Sequence, residues 1–472
     1  MKIAIIGSGI SAVTAAKSFI DQQYEVYMFE GSKNRRIINN NKLNFLPSLK
    51  TSPKFNNELL KQSINDFNQN YNIKTENFFS ANSLILGGLS NFWGGGLELP
   101  DDNYLKKYNN YKKIIQEKEE IDVEIGLKKD PFEFYNFFFE DKKIKQILND
   151  KDKDVTFEKL LLAINQFNIN DKEKQKYLKD CQYTNPNIIY NAKNEIINLQ
   201  NKKLLNFYDS SFVNDIITDK NKLNISINNS LFPIKFDKVI LCCGTVGSAV
   251  LISKILNLKT QFRLHHTPVV QLAYFSGLLN HKIKVKEKFG MALLMLLLKH
   301  DNHTFKGSFI QASKIDNKFF GVKDINILFS LIKNFIFVGN FFFPHSFSNT
   351  ELNIKESSVL IKSDNNNEIK EKTPDIKKKL NSFLSKFGLT EIPYLNFKLL
   401  MNGSDAHYTS SIYDYNNNIK TIIDENCQVI ERKNLYILDN SVIAGGLHYP
   451  TYFTMMYIKH ITKKIITNDK KN

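Results

Sequence analysis

The chain is poor in cysteine, tryptophan, arginine and long apolar runs, and each scarcity removes a class of explanation. Its four cysteines, Cys181, Cys242, Cys243 and Cys427, form no CxxC pair and no Cys/His spacing. Neither a disulfide framework nor a metal site is expected from them, and buried packing is their default role. Residues 289–299 are too few to cross a bilayer, and 325–344 is interrupted by Lys333, Asn334 and Asn340, so no integral membrane segment is expected. The first apolar strand begins at residue 2, which leaves no room for a signal peptide and makes a reducing cytoplasm the expected setting. Arginine occurs only at 35, 36, 263 and 432, so the net charge of +16 is almost entirely lysine. Asn and Ile are abundant beside it, as the codon bias of an AT-rich genome would produce. The charges are spread along the chain rather than clustered with aromatics, so no nucleic-acid partner is expected.

What is present is globular. Hydrophobic residues make up 42% and charged residues 24% of 472, enough for two domains or one elaborated domain around a large core. The most informative stretch is the first: MKIAIIGSGISAVTAAKSFIDQQYEVYMFEG. Lys2 to Ile6 read as a strand buried on both faces. The turn Gly7-Ser8-Gly9-Ile10-Ser11-Ala12 follows, then an Ala-rich helix, then a second strand from Glu25 to Phe29 that ends in Glu30. This is a dinucleotide-binding fingerprint in its proper context. Gly7 permits the tight turn, Gly9 lets backbone approach a pyrophosphate, and Ala12 lets the helix pack closely on the sheet. Glu30, 23 residues after Gly7, is placed to accept hydrogen bonds from a ribose.

Further along, Leu84 to Gly96 holds five glycines and the only tryptophan, Trp93. Such a loop suits backbone that must approach a ligand. Residues 101–180 read as charge-rich helices, Leu105 to Glu120, Lys142 to Asn149 and Phe157 to Phe167. A second apolar strand then runs into Gly244 and a helix from Ala249 to Leu256, which repeats the geometry of the first motif. Residues 270–400 read as an antiparallel sheet with a helix from Pro374 to Phe387. After the last strand, Asn434 to Leu438, come Asp439-Asn440-Ser441, a Gly-rich turn, His448-Tyr449-Pro450-Thr451 and a final helix. Pro450 is well placed at a helix start, whereas Tyr449 is a poor cap, so the first amides there invite an external acceptor. Of nine histidines, His407 and His448 lie in small-residue loops flanking the last strand, where a neutral imidazole can take a hydroxyl proton near pH 7. His265-His266-Thr267-Pro268 holds the next candidates.

Four blocks, GSGISA, GGLSNFWGGG, VILCCGTVGSAVLI and NLYILDNSVIAGGLHYPTYFTMM, together resemble the glucose–methanol–choline family of FAD-dependent oxidoreductases. The loop form is most similar to members found with bacterial sugar and polysaccharide genes. The resemblance implies an α/β fold: a Rossmann-like FAD-binding domain of the glutathione-reductase type, with a second α+β substrate domain built on an antiparallel sheet. In segments, 1–100, 185–269 and 401–472 would bind FAD, 101–184 would form a lid, and 270–400 would hold substrate.

The same resemblance implies that Gly7, Gly9, Ser11, Ala12 and Glu30 hold the adenosine-diphosphate part of FAD. Gly88, Ser90, Asn91, Trp93 and Gly94 would touch the isoalloxazine. Gly244, Asp439 and Asn440 would lie along the cofactor, and Pro450 and Thr451 would face the flavin N1–C2=O edge. No His occurs in 84–100, so the FAD is expected to be non-covalent. His407 would accept the hydroxyl proton of an alcohol or sugar as hydride moves to flavin N5. The second catalytic position, usually His or Asn before Pro, is Tyr449 here, with His448 one residue earlier; either could serve. The electron acceptor could be oxygen, a quinone or a carrier protein. Two other readings stay open: a catalytically degenerate FAD-binding module, and a quinone-linked dehydrogenase peripheral to the inner membrane face.

Overall fold

A computed structural model describes residues 1–32, 58–140, 142–150, 152–167, 189–276, 293–312, 332, 335–356, 358–418 and 421–471. Cys181, His281, Arg35 and Arg36 lie outside the described residues. Five strands form a wholly parallel sheet in the spatial order Leu435–Ile437, Lys238–Leu241, Lys2–Ile6, Glu25–Phe29, Leu205–Tyr208. The three central strands are apolar almost throughout because both faces are covered. Helix Ile10–Ile20 shares their core, and so do Val213, Ile216, Leu223 and Ile225 of a small antiparallel sheet, Val213–Asp219, Lys222–Ile227 and Ser230–Leu231. Ile3, Ala4, Ile5, Val239, Ile240 and Leu241 are all fully buried. The order places the C-terminal ends of strands from residues 6, 29, 241 and 437 side by side, where open α/β sheets bind ligands.

A second, seven-stranded sheet is antiparallel along its length, in the order Leu389–Glu391, Val269–Ser276, Ile336–Phe342, His303–Gln311, Leu294–His300, Val155–Lys159, with Lys398–Leu399 paired beside Val269–Ser276. Its outer face packs on helix Asn367–Ser385 through Ile369, Ile376, Leu380, Phe383 and Leu384. The architecture is therefore mixed α/β with several sheets, and no helix among the described residues is long and apolar enough to cross a membrane.

Several expected elements differ. The helix expected from Phe157 to Phe167 is instead the strand Val155–Lys159 followed by Leu161–Leu162. Val155 and Phe157 are buried while Thr156 is half-buried, a two-residue alternation satisfied by pairing with Leu294–His300. The helix expected from Leu105 to Glu120 is broken into Asp102–Leu105, Tyr111–Gln116 and Lys118–Ile125. Asn109-Asn110 interrupts it, since Asn competes for backbone hydrogen bonds. The helix after Lys238–Leu241 starts at Gly244, not Ala249, so the small residues of the turn are its first turn. The helix expected from Pro374 begins at Asn367, and Pro374 lies inside it.

Candidate active site

The first turn is fixed by two parallel strands. Gly7 has φ +110°, and a Cβ there would stand 2.3 Å from the Cys242 carbonyl oxygen. Its amide donates to the Phe29 carbonyl at 2.8 Å. Helix Ile10–Ile20 begins at once, with no side-chain cap and no acidic residue in its first turn, and Gly9, Ile10 and Ser11 line a cavity, the setting in which helix N-terminal amides suit an anion. Glu30 is buried at the end of the second strand. Its carboxylate accepts from Ser32 N at 2.8 Å and from the Ser8 hydroxyl. Burial pushes its pKa up, and those two donors work against the shift.

Ser8 Oγ also accepts from Gly87 N at 3.0 Å, which ties the first turn to the glycine-rich loop. The two backbones nearly touch: a Cβ on Gly88 would lie 3.3 Å from Gly9 Cα. Within the loop, Ser90 Oγ donates to Gly87 O at 2.6 Å and accepts from Ala192 N at 3.1 Å. Asn91 donates to Leu86 O at 2.8 Å and Gly88 O at 2.9 Å, so its side chain knits the loop. Trp93 Nε1 donates to Tyr190 O at 2.9 Å.

Asp439 is fully buried and joins two other elements. It accepts from Gly244 N at 3.0 Å, Ser248 Oγ at 2.5 Å, Ser441 N at 2.9 Å and Ser441 Oγ at 2.6 Å. Burial still raises its pKa against those four donors. Asn440 Oδ1 accepts from Thr454 Oγ1 at 2.6 Å, holding the turn to the first turn of helix Thr451–Lys471.

His407 follows Ala406, which has φ +58°. Its backbone amide donates to Asp405 Oδ2 at 3.2 Å, and the same oxygen accepts from Thr267 N at 2.8 Å and Thr267 Oγ1 at 3.0 Å. His266 Nδ1 lies 3.4 Å from the other Asp405 oxygen. Burial would raise the Asp405 pKa, but His266 and His407 beside it and the Thr267 amide bring it below the usual value. The His407 pKa is lowered by burial, with the Asp405 charge opposing that shift. Nδ1 of His407 is buried without a hydrogen-bond partner among the described residues. The His407 ring stands 5.7 Å from both the Phe342 and Tyr449 rings, centroid to centroid.

A continuous cavity of about 350 Å³ runs past these groups, within the size range of ligand sites. It is lined by Gly7, Gly9, Ser11, Glu30, Gly88, Ser90, Trp93, Gly94, Gly244, His407, Asp439, Asn440, Tyr449, Pro450 and Thr451. Ala12, Asn91 and His448 are outside its wall. Ala12 is buried between helix and sheet, and Asn91 bonds within its own loop. Both ring nitrogens of His448 are buried without a partner among the described residues, and the adjacent turn at Gly446, φ +124°, presents Tyr449 to the cavity instead. Tyr449 N donates to Glu98 Oε2 at 3.0 Å, and Glu98 pairs with Lys306. Sequence reasoning missed Ser8, Asp405 and Glu98. A carboxylate two residues before His407 was a local signal for Asp405; Glu98 carried none.

His265 is elsewhere. Its Nε2 pairs with Asp414 at 2.5 Å and its ring stacks on His345 at 4.7 Å, beside the Gly445–Gly446 turn. The His345 pKa falls from 6.5 to about 3, first through burial and then through His265 and Lys107, with Asp414 opposing. A depressed folded pKa means that the unfolded chain binds a proton first as pH falls below 6.5, so His345 lowers stability on acidification by about 1.4 kcal/mol per pH unit. The variant His345→Gln is expected to lose less stability than the parent between pH 6.5 and 4.5, measured as urea midpoints. Parallel curves would refute the assignment.

No protein-family model and no curated protein sequence matches the chain. Its structure is similar to the crystal structure of pyridoxine 4-oxidase from Mesorbium loti, with a TM-score of 0.59 and 11% identity, over 97% of this chain and 98% of that one. The likeness is end to end, and the chain therefore shares the overall fold of that oxidase.

Proposed function

We propose that the chain is a glucose–methanol–choline-type FAD-dependent oxidoreductase that oxidises a CH–OH group. The observation that carries this reading is one cavity reached both by His407 and by the Gly7–Gly9 turn at the start of a long, uncapped helix. The residues present fit FAD. The first turn offers free amides to a pyrophosphate, Glu30 stands at the end of the second strand for a ribose, and the Pro450-Thr451 helix start offers amides to a carbonyl edge. When bound, FAD supplies the hydride acceptor. His407 stays neutral because its pKa is lowered, and with Nδ1 sealed its Nε2 is the atom left to take the hydroxyl proton. Asp405, buried and charged, compensates the imidazolium that results. Tyr449 and Phe342 close the cavity around the reacting carbon and help to orient its C–H bond.

The purified protein should be yellow, and an oxidisable alcohol added without oxygen should bleach the flavin band. Recovery of colour on admitting air would make oxygen the acceptor. A colourless protein that takes up no added FAD would sink the reading. Tyr449 at a position where His or Asn was expected favours a second one, a flavoprotein that binds FAD without turning over; it predicts a yellow protein that no alcohol or sugar bleaches.

A further inference from the structure

The substrate end of the cavity is walled by the seven-stranded sheet, and the sheet's register sorts that wall into two rows. Phe342 lies opposite Lys306 on one neighbouring strand and Val269 on the other. Asn340 lies opposite Ser308 and Gln271. Residues two apart on a strand share a face, so Phe342 and Asn340 point the same way, and both line the cavity with Val269 and Ser308. In the first row Phe342 and Val269 line the cavity while Lys306 pairs with Glu98 outside it, so the wall there is apolar, and it adjoins the reacting groups, with Phe342 edge-on to Tyr449 at 5.6 Å and 78°. Leu160, Leu162 and Leu400 complete this part of the wall. The second row is polar. Neither the Asn340 amide nor the Ser308 hydroxyl makes a hydrogen bond to a described side chain or backbone group, and both are only half-buried. Two residues along a strand span roughly 7 Å, which sets the distance between the rows.

A sugar fits this wall poorly. Each hydroxyl buried without a partner costs about 1–3 kcal/mol, and a pyranose would carry several against Phe342, Val269 and the three leucines. A flat apolar body suits the first row, where aromatic contacts of the edge-on kind add about 0.5–1.5 kcal/mol. We propose that the substrate is a compact aromatic alcohol with one hydrogen-bonding substituent at the end of the ring remote from the reacting carbon, recognised by Asn340 and Ser308. This rests on the proposed CH–OH oxidation. In that reaction the arylmethanol carbon gives a hydride, with both electrons, to bound FAD. The hydroxyl proton passes to His407, and an aromatic aldehyde leaves.

The test uses the FAD-loaded protein with 4-hydroxybenzyl alcohol, benzyl alcohol and D-glucose under anaerobic conditions. The hydroxylated arylmethanol should reduce the flavin with a kcat/KM about tenfold above benzyl alcohol, the worth of one good hydrogen bond, and both should exceed glucose. Asn340→Leu should erase most of that preference. As a readout without turnover, 4-hydroxybenzoate should perturb the oxidised flavin band saturably, with a Kd about tenfold weaker in Asn340→Leu. Ser308→Ala provides the same comparison should the leucine variant fail to fold. Glucose outperforming both arylmethanols, or a preference and a Kd unmoved by both substitutions, would overturn the proposal. Failure to take up FAD would instead overturn the function beneath it.

Discussion

Replacing His407 by alanine is expected to slow anaerobic flavin reduction by about 10²–10⁴-fold, the usual contribution of a general base, while FAD uptake and thermal midpoint stay near the parent values. The expectation follows from where the ring stands. It lines the cavity among Phe342 and Tyr449, and its loop is anchored through the backbone by Asp405 rather than through the ring. Removing the imidazole therefore takes away the proton acceptor and leaves the anchoring hydrogen bonds in place. Its pH signature is distinct. Burial holds the His407 pKa below 6.5, so the base remains neutral in mildly acidic solution, and the acid limb of kcat/KM should fall below the ordinary histidine range. In the alanine variant that limb should vanish along with the rate. Stopped-flow reduction across a range of alcohol concentrations and pH checks both, and a loss of less than tenfold would remove His407 from the mechanism.

The parts of this architecture that could be read from sequence are those in which cause and effect are neighbours in the chain. Strand, glycine turn, helix and second strand occupy residues 2–29, and each carries its own local signal: apolar β-branched runs, a residue free to take φ +110°, small side chains on the packing face. The histidine pair was legible as chemistry but not as geometry. Which of His448 and Tyr449 reaches the cavity depends on backbone turning at Gly446, which no side-chain pattern encodes. Val155–Lys159 failed for a related reason. Its partner strand lies at Leu294–His300, and a short edge strand next to charged helices has too few residues to reveal its period. Glu98 is the furthest from legible. It matters because Lys306 neutralises it while it takes the Tyr449 amide, a meeting of three segments scattered across the chain. Ser308 and Asn340 look like ordinary strand residues until the register sets them side by side.

Gly7→Ala and Gly9→Ala are expected to fail in different ways, although both change one hydrogen for a methyl group in the same turn. At Gly7 the added carbon would stand 2.3 Å from the Cys242 carbonyl oxygen and 2.9 Å from its carbon, both backbone atoms. That backbone cannot yield easily, because Cys242 N donates to Ile6 O at 2.9 Å and Gly7 N to Phe29 O at 2.8 Å. A non-glycine residue at φ +110° adds conformational strain of about 1–3 kcal/mol, and overpacking a further 1–3 kcal/mol or so. The sum is a large fraction of a domain's stability, so Gly7→Ala should fold poorly, with a lowered thermal midpoint even when FAD is supplied in excess. Gly9 differs on each count. Its φ is −73°, open to any residue, and a Cβ there meets nothing within 4 Å. The protein should fold normally with alanine at this position. Gly9 nonetheless lines the cavity at the start of the uncapped helix, where a methyl group would hold a pyrophosphate away from the free amides. Gly9→Ala should therefore keep the parent's apoprotein stability and bind FAD at least about tenfold more weakly, measured by flavin fluorescence on titration. Equal FAD affinity in Gly9→Ala would refute the placement of the pyrophosphate at this turn, and a normally stable Gly7→Ala would refute the packing of the turn against Cys242.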